Sequence, residues 1–294
     1  MIGQMQITST GAIRDKVETA IQRLKAFEPP EGYYVAFSGG KDSQCVYHLC
    51  KLAGVKFDAH YSVTSVDPPE LVRFIKDNYP DITFERRHDK AGNPVTMWSL
   101  IPERKMPPTR IARYCCEELK ESNGAGRLTV TGVRWAESAN RKANQGIITI
   151  PKAGVKFKKR LEEMGANFTK TMRGGVVLNY DDAPERRTIE SCIRTGKALI
   201  NPIVDWEDED VWEFLNENGI PHCCLYDEGW TRLGCIGCPM GRRKKMEKEF
   251  ERWPKYKALY LRTFSRLHEA RKKAGLPCEN WNTPEDVMEW WMGE

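Results

Sequence analysis

The 294-residue chain carries 46 Lys and Arg against 41 Asp and Glu, a formal net charge of +5, with 40% hydrophobic and 10% aromatic residues. That composition suits one large α/β domain with an appendage or two modest domains, and it excludes a disordered or low-complexity polypeptide. No apolar run approaches the roughly 20 residues of a membrane span. The polar Met1–Thr10 stretch has no signal-peptide core, so no membrane partner and a cytoplasmic location are expected. The mild positive charge suits an anionic ligand without specifying a nucleic-acid partner.

Taken in order, Ile13, Val17, Ile21 and Leu24 recur at helical spacing and predict a helix from Thr10 to about Phe27, closed by Glu28-Pro-Pro-Glu-Gly32. A short apolar strand, Tyr33–Phe37, leads into Ser38-Gly-Gly-Lys-Asp-Ser43, and a helix follows from Gln44 to Ala53. Strand Phe57–Val63, helix Pro69–Tyr79 and strand Ile82–Arg86 continue an alternation that points to a parallel sheet with helices on both faces. Pro102, Pro107 and Pro108 mark a loop delivering Cys115-Cys116 to a short helix, and Arg127–Val133 reads as a strand. Residues 142–182 are basic, glycine-containing and weakly patterned, the character of an insertion or lid. Leu199–Val204 reads as a further strand. A helix is then expected to open at Asp205-Trp-Glu-Asp-Glu-Asp-Val-Trp212 with acids in its first turn, followed by a basic helical stretch from Arg242 to Lys273 and a last helix over Thr283–Met292. The expected division is an N-terminal helix (1–30), a nucleotide-binding α/β domain (31–205) and a helical C-terminal region (206–294).

The segment Ser38–Ser43 sits between a predicted strand and a predicted helix, where open α/β sheets bind ligands. Its glycines allow a phosphate to approach the backbone, and the loop amides and helix N-terminus favour negative charge. Lys41 adds a point charge, and Ser38 and Ser43 add hydroxyl donors. Asp42 beside an anion fits a Mg²⁺ ligand or a residue that orients a donor. The Walker A spacing is absent. The plainer alternative is a glycine turn with a solvated Lys-Asp pair.

Ten cysteines are many for a cytosolic chain, where structural disulfides are rare. Cys235-Ile-Gly-Cys238 has the form of a metal or cluster motif. Cys115-Cys116 is the candidate second pair, with Cys223-Cys224 its rival on grounds of sequence proximity. Adjacent thiolates reach one zinc ion only with strain, whereas a cubane offers each its own iron. Zinc and an uncoordinated dithiol remain alternatives. Cys45, Cys50 and Cys192 are read as small buried hydrophobes. Arg134, Glu137 and Arg141, just past a strand end, suit nucleotide or sulfate oxygens, with a surface ion-pair network as the plainer reading. Arg242–Lys245 could contact phosphates, the cluster or nucleic acid, or form a solvated face.

These residues together resemble the phosphoadenosine phosphosulfate (PAPS) reductase-like branch of the PP-loop ATP pyrophosphatases over about Tyr33–Gly241. Four segments carry the likeness: Ser38–Ser43; Cys115-Cys116 with Gly132-Val-Arg134-Trp-Ala-Glu137-Ser-Ala-Asn-Arg141; Asn201–Trp212; and Gly234-Cys235-Ile-Gly-Cys238. The resemblance implies a doubly wound, mostly parallel α/β sheet of the adenine nucleotide alpha hydrolase type with a helical C-terminal extension. It also implies a 4Fe-4S cluster on Cys115, Cys116, Cys235 and Cys238, and ATP or a related adenine nucleotide with Mg²⁺ at the loop. Lys41, Asp42 and Arg134 would serve catalysis, and Ser38, Gly39, Gly40, Lys41, Asp42, Ser43, Glu137 and Arg141 would bind the nucleotide. The Gly-Gly-Lys-Asp-Ser loop looks more like the ATP-cleaving members, and the tail Leu276-Pro-Cys278-Glu-Asn lacks the Gly-Leu-His of sulfonucleotide reductases. Val63-Thr-Ser65 replaces their Asp-Thr-Gly. The leading expectation is cleavage at the α-phosphate with pyrophosphate release, working with a sulfur donor or a thioredoxin-like protein. The alternatives are a Cys278-dependent reductase of adenylyl or phosphoadenylyl sulfate and a nucleic-acid-binding iron–sulfur accessory protein.

Overall fold

The computed structural model describes residues 12–121, 123–124, 126–163, 165–172, 174–179, 198–278 and 281–293. Helix α1 (Ala12–Ala26) buries Ile13, Val17, Ile21 and Leu24 as their spacing requires, and Arg23 joins it to Asp205 (2.8 Å) and to the Pro202 carbonyl (2.9 Å). Strand β1 (Tyr33–Ala36) runs into α2 (Lys41–Ala53), which ends on Gly54 in the left-handed conformation that a side chain would strain. Then follow β2 (Phe57–Ser62), α3 (Pro69–Asn78) and β3 (Thr83–Glu85). Helix α4 (Met97–Arg104) lies where the prolines suggest a loop: the Thr96/Ser99 capping box starts it and burial of Met97, Leu100 and Ile101 holds it, so Pro102 is carried inside.

Eight strands form one sheet in the order β3-β2-β1-β4-β8-β5-β7-β6. The remaining strands are β4 (Leu128–Val130), β5 (Ile148–Ile150), β6 (Phe168–Lys170), β7 (Val176–Leu178) and β8 (Ala198–Ile200). β1 pairs in parallel with β2 and β4, and β4 with β8. β5 is antiparallel to β8 and β7, and β7 to β6. The chain winds outward from β1 in one direction to β3 and in the other to β8. The order reverses between β1 and β4, the position where open sheets of this kind leave a crevice for ligands. The sequence between 142 and 182 therefore supplies three strands. β5 and β7 are buried throughout, so this segment extends the sheet in addition to whatever role it has at the surface.

By its contacts the chain forms two compact units, each assembled from separate stretches. The first comprises residues 1–61, 74–83 and 124–229, and the second 62–73, 84–123 and 230–294. In the second, Trp98 of α4 meets Tyr260 edge-on at 5.0 Å, Arg271 donates to the Lys105 carbonyl, and Trp291 donates to the Pro108 carbonyl. The basic helical stretch consists of two helices, Arg242–Arg252 and Pro254–Lys273. Pro254 lacks an amide hydrogen and so opens the second helix instead of continuing the first. Pro284–Gly293 completes the helical C-terminal extension. Among the described residues no helix is long and apolar enough to cross a membrane.

Candidate functional site

The Ser38–Ser43 loop belongs to the first unit. Gly39 takes φ +74°, which turns the backbone off β1 and lets Lys41 begin α2. The Ser38 amide donates to Ser43 Oγ (3.2 Å), the two serine hydroxyls are 3.1 Å apart, and Ser43 Oγ donates to the Gly40 carbonyl (2.8 Å). The loop is thereby closed around Gly39 and Gly40. A first-turn amide of α2, Lys41 N–H, donates to the Tyr226 hydroxyl at 2.9 Å. Burial pushes the Tyr226 pKa up, so this group stays a neutral hydroxyl.

Four charged side chains meet beside the loop. Lys41 Nζ donates to Asp208 Oδ1 (2.7 Å) and Asp42 Oδ1 (3.2 Å). Arg134, only 2% exposed, reaches Asp42 Oδ1 through Nε (2.7 Å), Asp208 Oδ1 through Nη2 (2.5 Å) and the Trp206 carbonyl through Nη1 (3.1 Å). The hydrogen bond from Lys41, followed by that from Arg134, holds the Asp208 carboxyl below its usual range. Glu137 binds Arg134 by its backbone amide (3.2 Å) and pairs with Arg141 (2.8 Å); the Arg134 guanidinium is held by the two aspartates. Gly132 lies against α2: a β-carbon there would fall 2.8 Å from the Asp42 carbonyl carbon and oxygen. Cys45, buried as expected, has its thiol pKa raised by burial and by Asp42.

The cysteine group belongs to the second unit. Cys115, Cys116, Cys235 and Cys238 line one hollow together with Thr64, Met97, Leu119, Lys120 and Tyr260. Cys115 and Cys116 come from the Tyr114–Cys116 helical turn, which widens into a π-type turn over Glu117–Glu121. The Cys235–Cys238 loop is held through its backbone. Ile236 N–H donates to the Val66 carbonyl (2.8 Å), Gly237 N–H to buried Glu249 (2.8 Å), and Tyr260 O–H to the Ile236 carbonyl (3.0 Å). Gly237 has φ +71°, and a β-carbon there would meet Tyr260 at 2.9 Å. Lys120 lines the hollow, and its proximity to Cys235 raises the lysine pKa against the opposing effect of burial. Hydrogen bonding from Cys115, helped by Arg113, draws the Cys116 thiol pKa down; the same bond drives that of Cys115 up. Among the described residues no group of three or more His, Cys, Asp or Glu side chains is placed to hold a metal ion as it stands.

Cys223 is buried and Cys224 exposed in the first unit, and neither lines the hollow. Cys50 is buried, while Cys192 lies outside the described residues. Sequence reasoning did not single out Asp208, Tyr226, Lys120 or Glu249. Asp208 was present only as one of several acids opening a helix, and Lys120 stands one helical turn after Cys116.

A family profile described as the phosphoadenosine phosphosulfate reductase domain matches residues 32–241. An uncharacterised protein of Methanocaldococcus jannaschii is 36% identical over 253 residues, 82% of this chain and 47% of that protein. An adenosine 5′-phosphosulfate reductase of Salinibacter ruber is 30% identical over 76 residues, 24% of this chain and 30% of that protein. The chain thus spans less than half the length of these curated relatives in the matched regions. The phosphoadenylyl-sulfate reductase of Candida auris, solved as a phosphate complex, aligns with TM-score 0.43 and 13% identity, covering 77% of this chain and 96% of that one.

Proposed function

The chain belongs to the phosphoadenosine phosphosulfate reductase domain family, and from that premise we propose that it binds ATP or a related adenine nucleotide at Ser38–Ser43 and cleaves it at the α-phosphate. The carrying observation is the loop at the end of β1, where Lys41 presents its amide and ammonium beside the two serine hydroxyls. Polyphosphate oxygens would take the places that the Tyr226 hydroxyl and the Asp208 carboxylate hold on Lys41. An acceptor attacks the α-phosphorus, the bond to the bridging oxygen breaks, and pyrophosphate leaves with the electron pair. Lys41 offsets the charge that gathers on it. Asp42 and Asp208 are the carboxylates suited to Mg²⁺, which supplies further charge neutralisation when bound. Arg134 acts as a positioning residue that fixes both carboxylates, while Glu137 and Arg141 brace its backbone.

Cys115, Cys116, Cys235 and Cys238 line one hollow of the second unit beside a lysine ammonium able to offset thiolate charge, and their side chains would have to draw together to hold a 4Fe-4S cluster. Such a cluster would support the unit or hold and tune sulfur for transfer. The test of the nucleotide reading is to incubate iron-reconstituted protein with ATP and Mg²⁺ across sulfur-containing and carboxylate acceptors, scoring AMP and pyrophosphate. Binding without turnover in every case would refute the cleavage reading.

The family's description favours a second reading, thiol-dependent reduction of adenylyl sulfate or its 3′-phosphorylated form. The Cys278 thiolate would attack the sulfonyl sulfur, AMP or its 3′-phosphate would leave, and a thioredoxin-like dithiol would release sulfite by becoming a disulfide. Cys278 is part-exposed, as that role requires. Sulfite release that persists in Cys278→Ser would eliminate this role.

A further inference from the structure

Residues 242–273 contain thirteen Lys and Arg against four Asp and Glu, a net +9 in a chain whose total is +5, so the remainder carries −4. The largest share of the positive charge therefore sits on two consecutive helices of the second unit. Within Pro254–Lys273 the buried residues are Tyr260, Thr263, Phe264 and Leu267. On the opposite side Lys255, Arg262, Arg266 and Lys273 are all exposed. At about 100° per residue these four fall within about 40° of one line, spread over about 27 Å of helix. None of them pairs with a carboxylate among the described residues; Glu269 is the one acid beside the line. The helix has no large exposed hydrophobic residue, whereas a membrane-surface helix presents such residues beside its cations. It also presents no exposed aromatic ring on which unpaired bases could stack. A straight row of unpaired cations without an apolar or stacking element matches one chemistry, a regularly charged phosphodiester backbone.

We propose that the exposed face of Pro254–Lys273 binds duplex nucleic acid through its phosphates, without reading sequence. Four phosphate contacts predict a log–log salt slope of about −3.6, so affinity falls roughly 100-fold between 50 and 200 mM KCl. The test uses the full chain and fluorescence anisotropy with 20-base-pair DNA and RNA duplexes, which distinguish the two sources of the backbone. Arg262→Gln/Arg266→Gln removes two contacts. It should reduce the slope by about 2 and weaken binding by tens-fold at 100 mM, with the melting temperature unchanged because both side chains are at the surface. Lys257→Gln, an exposed cation about 160° from the line, should leave the slope as it is. Absence of binding at 50 mM, or equal slopes in the double variant and the wild type, overturns the proposal. So does capture by phosphatidylserine vesicles that the same double variant abolishes, which would assign the row to lipid.

Discussion

Lys41 Nζ donates to Asp208 Oδ1 at 2.7 Å across 167 residues of sequence, tying the Ser38–Ser43 loop to the helix Asp208–Glu217. The lysine side chain is buried and the aspartate side chain is 63% exposed, so the pair is open to competition from a stronger anion. Lys41→Met is expected to weaken ATP·Mg²⁺ binding by about 10- to 100-fold, the loss of one desolvated charge-assisted contact. Fold stability should change little, because Asp208 keeps Arg134. Calorimetric titration beside a thermal melt reads both quantities, and an unchanged Kd would detach Lys41 from the phosphates.

Gly132 is a sharper probe because it alters no functional group. The added methyl of Gly132→Ala would sit 2.8 Å from the backbone of Asp42, which cannot swing aside as a flexible side chain could. A cost of about 1–3 kcal/mol is expected from overpacking, together with weaker nucleotide binding as the start of α2 shifts. Urea unfolding that matches the wild type would show that the two segments are further apart than described.

The thiol group gives a compositional test. Cys116→Ser and Cys238→Ser should each lower iron and acid-labile sulfide per chain after anaerobic purification. Cys50→Ala should keep both, since Cys50 is fully buried in α2 of the other unit. Undiminished iron in Cys238→Ser would remove the cluster assignment.

His48 supplies a pH signature unrelated to either site. Burial, and then the nearby Lys51 charge, lower its pKa from 6.5 to about 4, while Asp81 opposes them. Tyr79 lies 3.3 Å from its Nε2 and Tyr47 packs edge-on against the ring. Between pH 6.5 and pH 4 the unfolded chain takes up a proton that the folded chain refuses, so stability falls as the solution is acidified. The full effect is about 3 kcal/mol and is absent above pH 6.5. His48→Gln should remove this part of the pH dependence. The wild-type and variant unfolding free energies, compared at pH 7 and pH 4.5, isolate it from the general effect of carboxylate protonation.

The parts of the sites that were legible in the sequence are contiguous. Ser38–Ser43 shows its chemistry because six adjacent residues make one loop. Asp208 and Tyr226 do not, since their importance comes from Lys41, far away in sequence. The cysteines announce a site by clustering, but which pairs meet depends on the path of the chain. Cys223-Cys224 is nearer in sequence to Cys235, yet it falls in the other unit. Strands β5 and β7 are three residues each, too short for alternation to stand out among basic and glycine residues. Ser65 adopts φ +68° where the family pattern has glycine, a conformation that a serine does not advertise.

The polypeptide passes from one unit to the other five times, and the two cysteine pairs flank the stretch 124–229, which belongs to the first unit. During synthesis Cys115 and Cys116 therefore emerge more than a hundred residues before Cys235 and Cys238 exist to meet them. Any cofactor requiring all four sulfurs must wait until Cys238 has been made. A premature stop within the first unit's last stretch would leave two orphan thiols exposed to oxidation.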